Sequence, residues 1–91
     1  MITAARVKNR ESGRFVVWLV LGDINRLKEV LKPFPSLDLE NTEEIKLSEV
    51  RGMKDYSEGM RWLVDYGEDS NPFFAVYGLG EIETPSAVQS H

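Results

Sequence analysis

Histidine and cysteine are the side chains that most often move protons or act as nucleophiles near neutral pH. This chain of 91 residues has one histidine, His91, at its last position, and no cysteine. An imidazole at a frayed end cannot hold the fixed geometry that general base catalysis needs, so neither a Ser–His nor a Cys–His pair can be assembled. Disulfides and thiolate metal sites are excluded with the thiols. Gly78-Leu79-Gly80 lacks the rest of a dinucleotide fingerprint, and no P-loop is present, so no cofactor is expected. What remains is carboxylate and phenol chemistry. With fifteen Asp and Glu residues, some adjacency arises by chance. Tyr66 and Tyr77 could donate protons, but neither has an identifiable partner. A carboxylate-dependent enzyme or small-ligand module would need a concave pocket beside the apolar segments. The expectation is a non-enzymatic protein with no metal, acting by recognition.

Two constellations could recognise something. The first is Trp62 and Tyr66, four residues apart and therefore neighbours on a helix surface, with Glu58 and Asp65 beside Trp62 on the helical wheel and Glu68 and Asp69 just beyond. Trp and Tyr are enriched at binding hot spots. Asp65, Glu68 and Asp69 fall at the C-terminal end of that helix, where the macrodipole disfavours carboxylates by a few tenths of a kcal/mol each. Such a surface fits a basic patch on a partner protein. The plainer alternatives are a Trp62 folded over the core edge and a solvated acidic loop. The spacing of these acids does not match an EF-hand. The second constellation is basic: Arg6, Lys8, Arg10 and Arg14 in the first 14 residues. It could follow a phosphate backbone or an acidic partner, or it could be an edge strand whose charges prevent aggregation.

These residues need elements to position them. Residues 2–9 alternate loosely, with Thr3, Ala5 and Val7 on one side and Arg6 and Lys8 on the other, as in a strand with one wet face. Residues 9–14 are polar and contain Gly13, which marks a hairpin loop. Residues 15–21 are β-branched and aromatic throughout, as in a strand covered on both faces. Asp23 is a helix N-cap, Ile24, Leu27, Val30 and Leu31 recur at helical spacing, and Pro33 and Pro35 end the helix. Residues 36–54 read as a short strand pair around Asn41-Thr42, with a helix over residues 42–51 as the alternative. Asp55 and Glu58 resemble a capping box for a second helix with Tyr56, Met60, Leu63 and Val64 as its apolar stripe, and Gly67 is placed to end it in the left-handed conformation. Gly59 could admit close backbone approach or serve packing. Pro72 opens a last strand over residues 73–77, with Gly78 and Gly80 allowing a bulge.

The expected fold is α+β: a small mixed or mainly antiparallel sheet in ββαββαβ-like order with two helices on one face, forming one domain over residues 1–83 and a flexible tail over 84–91. Apolar residues are 42% and charged residues 29% of the chain, which is the globular range. Two helices on one face leave the other apolar face bare, so either chain segments or a second copy must cover it. A homodimer through that face is therefore expected as readily as intrachain cover. Charge is segregated: residues 1–32 hold seven basic against three acidic residues, while residues 33–91 hold four against twelve, for a net charge of -4. A two-pole field of this kind steers charged partners.

No apolar run approaches the roughly 20 residues of a membrane span. No secretory h-region follows Met1, and the absence of cysteine suits the cytoplasm. The combined expectation is a small acidic regulator or inhibitor, of the type found in phage and mobile elements, that docks on a larger protein with a basic surface. The alternative is nucleic-acid binding by the basic hairpin.

Overall fold

The computed structural model describes residues 1–82, so the expectation for residues 84–91 lies outside the described residues. The elements are β1 (Ile2–Asn9), β2 (Phe15–Leu21), α1 (Ile24–Leu31), β3 (Leu37–Ile45), α2 (Leu47–Val50), α3 (Tyr56–Tyr66), one turn of 3-10 helix (Pro72–Ala75) and β4 (Val76–Ile82). The strands form one antiparallel sheet in the order β3-β1-β2-β4. The α+β class and the mainly antiparallel sheet are as expected.

The β1–β2 hairpin closes where the sequence places it. The Asn9 side-chain oxygen accepts from the backbone N–H groups of Glu11 and Ser12, and Gly13 takes a positive φ of 73° that other residues disfavour. β2 then presents Val16, Trp18 and Val20 to one face and Val17, Leu19 and Leu21 to the other. Both faces are covered from within the chain, but not as expected. α1 packs on the first face, where Leu27, Val30 and Leu31 meet Ala5, Val7 and Val20. α2 and α3 cover the second, where Val50 and Leu63 meet Ala4, Val17 and Leu19. The helices lie on opposite faces, not on one.

The strand order explains this. β3 and β4 occupy opposite edges. The chain crosses β1 once between β2 and β3, and must cross β1 and β2 again to reach β4. The two crossings take opposite faces, so each covers one apolar side of β2. No bare sheet face remains, which removes the reason for expecting a homodimer through it.

Other expectations need correction. β1 is an interior strand flanked by β2 and β3, with Thr3, Ala4, Ala5 and Val7 buried, so it is not a half-wet edge strand. Residues 37–45 form one strand, not a pair. The turn-forming residues at its middle become a bulge, because the register jumps from Val7 opposite Thr42 to Lys8 opposite Asp38. Within the bulge Asp38 accepts from the Glu40 backbone at 3.3 Å and from the Asn41 side chain at 2.6 Å. The alternative helix over 42–51 is confined to Leu47–Val50. Residues 72–75 are a 3-10 turn because the Asn71 side chain caps the Phe73 N–H at 3.0 Å and Pro72 supplies a helical φ, so β4 starts only at Val76. The bulge expected near Gly78 and Gly80 is present: the β2–β4 register shifts there, and Gly80 has φ of 122°.

The caps divide similarly. Asp23 caps α1 by accepting from the Arg26 N–H at 3.1 Å. Asp55 stands at the N-cap of α3, but its side chain makes no capping bond. Gly67 ends α3 in the right-handed region, φ -62°, and is needed for proximity instead: a Cβ there would lie 2.7 Å from a Leu21 methyl. Gly59 is likewise a packing glycine, since a Cβ would lie 2.7 Å from the Tyr77 ring and 3.1 Å from a Leu19 methyl. Gly59→Ala gains about 1 kcal/mol of helix propensity against an overpacking cost of about 1–3 kcal/mol. The expected result is net destabilisation, read as a lower denaturant midpoint with an unchanged slope.

Candidate functional site

α3 lies across β2 and β4 with its C-terminal turn against Leu21, and the chain returns through the 3-10 turn into β4. This path gathers aromatic rings from three elements. Trp62 stands at the centre, with ring centroids 4.6 Å from Tyr66, 5.5 Å from Phe74 and 6.5 Å from Tyr77. Trp62 is half-buried and packs on the core beneath α3, while Tyr66 is 49% exposed. The plain reading of Trp62 as a residue folded over the core edge therefore holds for its underside, and Tyr66 carries the row into solvent. Phe73 turns the other way and meets Phe34 edge-on at 5.9 Å, each 44% exposed. The adjacent Phe73 and Phe74 thus tie the 3-10 turn to both layers of the fold. Neither phenylalanine is legible as part of a site while residues 73–77 read as a strand; the Asn71-Pro72 pair is the signal that separates them.

The six residues expected at a docking surface do not share one role. Trp62 and Tyr66 pack against each other with their ring planes tilted by 51°. Asp65 and Glu68 are exposed and, among the described residues, form no ion pair. Asp69 accepts from the Asn71 N–H at 2.9 Å and so helps build the entry to the 3-10 turn. That bond gives this carboxylate a structural role despite the unfavourable helix end. Glu58 faces Tyr77 instead of completing the capping box. Partial burial raises the Tyr77 phenol above its ordinary value of 10.0, and the carboxylates of Glu58 and Asp55 push in the same direction.

The basic constellation is drawn inward. Arg6 lies opposite Glu43 in the β1–β3 register and pairs with its carboxylate, and only 11% of the Arg6 side chain is exposed. Arg10 donates to the Pro35 carbonyl at 3.2 Å and lies 3.5 Å from the Asp38 carboxylate. Asp38 is held below its ordinary 3.8, first by the Asn41 side-chain hydrogen bond and also by Arg10. Arg14 is exposed and Lys8 is half-buried. The two poles of the sequence are therefore laid side by side by strand pairing, and β3 answers much of the positive charge of β1.

Among the described residues no cavity forms, and no group of three potential ligands is placed to hold a metal ion. The pocket that a small-ligand reading requires is thus not found there. No helix is long and apolar enough to cross a membrane. No family model matches the chain, and neither curated proteins nor solved structures yield a match.

Two titrations test these electrostatics. Tyr77 should ionise above its ordinary value of 10.0, and Glu58→Gln should bring its midpoint down, measured by phenolate absorbance. Because the folded value is raised, protonated Tyr77 favours the native state, and stability should fall as pH rises from about 10 through the folded value; Tyr77→Phe should lose that dependence. Asp38 has the opposite sign. Its stabilisation is present above 3.8 and is lost as pH falls through the lower folded value. Asn41→Ala should flatten the acid limb of a denaturation series.

Proposed function

We propose that this chain is a small acidic, non-enzymatic binding module. It docks on a basic surface of a larger protein through Tyr66 and the outer side of Trp62, with Asp65 and Glu68 as the charged rim, and acts there as a regulator or inhibitor. One observation carries the reading. The positive charges of Arg6 and Arg10 have carboxylate partners within the fold, whereas Asp65 and Glu68 beside the exposed aromatic row have no ion-pair partner among the described residues. A row of mutually packed rings supplies rigid contact area at little entropic cost, and unmatched rim charges favour encounter with an opposite surface. The same contrast disfavours nucleic-acid binding by the hairpin, since only Lys8 and Arg14 of its four basic residues lack an ion pair among the described residues. A cysteine-free acidic chain suits a reducing compartment, and an inhibitor of the phage or mobile-element kind fits this size and charge.

Affinity capture from lysate tests the reading with residues whose exposure spares the core. Tyr66→Ala and the double charge reversal Asp65→Lys, Glu68→Lys should each weaken retention of the captured protein by about tenfold or more, with circular dichroism unchanged. The reversal should also weaken the salt dependence of association. Lys8→Glu with Arg14→Glu should leave retention intact. Capture of nucleic acid that is lost in the hairpin variant, and kept in the others, would replace this reading with the nucleic-acid one.

A further inference from the structure

The sheet has two outer edges, and they are guarded differently. β3 carries Asp38, Glu40, Glu43 and Glu44 together with the bulge between Leu39 and Asn41, so both charge and distortion oppose the approach of another strand. β4 carries only Glu81 and the bulge near Gly80. Ahead of that bulge, in which Leu79 is the extra residue, Val76 to Gly78 is regular and uncharged, and among the described residues no segment pairs with its outer side. The side chains around this short edge are aromatic on both faces. Tyr77, Phe74 and Trp62 line the α3 face. On the α1 face the Trp18 indole lies beside exposed Gly78, 3.4 Å from where a Cβ would stand.

The charge is mainly negative as well. From Asp55 to Ile82 the sequence has Asp55, Glu58, Asp65, Glu68, Asp69 and Glu81 against the single exposed Arg61 on α3, and Glu58 and Asp55 lie close enough to perturb Tyr77. A second copy of the chain would bring the same carboxylates to the seam and meet like charge. A basic strand would be attracted, and its alternating side chains would lay their aliphatic stems and cationic heads over the rings on the two faces.

We propose that the edge of β4 from Val76 to Gly78 receives an extended, lysine- or arginine-bearing segment of the partner protein as a fifth strand. This rests on the docking reading above and names the form in which the partner binds. The test is selection of a random octapeptide library on the full chain, followed by residue-resolved amide exchange with a selected peptide. Selected sequences should carry Lys or Arg at alternating positions and lack proline. Amides of Val76–Gly78 that face outward should exchange about tenfold more slowly with peptide bound, and Gly78→Lys, which puts like charge against the basic segment where a Cβ fits beside Trp18, should weaken binding by a similar factor. Peptides that perturb Trp62 and Tyr66 while leaving β4 exchange unchanged, or that protect β3 instead, overturn strand addition and leave the docking reading standing. A species of twice the chain mass with β4 amides protected in the absence of peptide assigns the edge to a second copy and overturns the proposal. Failure to select any basic sequence removes both readings.

Discussion

β2 is apolar on both sides, and the rest of the structure answers to that. Val17 and Leu19 on one side, with Val20 on the other, are fully buried, and burying such side chains contributes about 1.5–3 kcal/mol each relative to exposure. No single layer of helix satisfies both sides. The chain therefore passes over the sheet on one face with α1 and on the other with α2 and α3, on its way to β3 and β4 at opposite edges. Gly59 and Gly67 follow from the same demand. They let α3 sit closely on β2 and β4, and their requirement is space, not a left-handed backbone.

The placement of β3 beside β1 has an electrostatic consequence. Exposed or partly exposed ion pairs contribute little to stability, typically 0–1 kcal/mol, so Arg6–Glu43 and Arg10–Asp38 matter less for holding the sheet than for what they remove from its surface. They cancel positive charge on the hairpin. Asp65 and Glu68 receive no such answer, since among the described residues neither forms an ion pair. Strand pairing thus neutralises part of the positive pole and leaves these two carboxylates unpaired among the described residues.

The 3-10 turn before β4 joins these two stories. Asp69 and Asn71 order the loop through successive side-chain-to-backbone bonds, and the turn sends Phe74 to the α3 layer and Phe73 to the α1 layer. Among the described residues, the edge strand that starts with an uncharged stretch therefore begins beside the aromatic row. In the docking reading, the acidic rim and the rings act as one surface because this turn holds them together.

The amino-acid sequence by itself determined the local elements whose signals are local: the Asn9–Gly13 hairpin, the Asp23 cap, the helical stripe of Leu27 and Leu63, and the two-sided burial of β2. It also determined the absence of thiols and the lone terminal imidazole. Only the tertiary structure decided which face each helix covers, that β1 is interior, that Asn41 lies in a bulge and not at a turn, and that Glu58 meets Tyr77 instead of capping its helix. These depend on contacts between residues far apart in the chain, where local propensity is silent. Trp62 and Tyr66 were legible as neighbours because four residues is one helical turn, whereas Phe74 and Tyr77 joined them only because β4 was laid beneath α3.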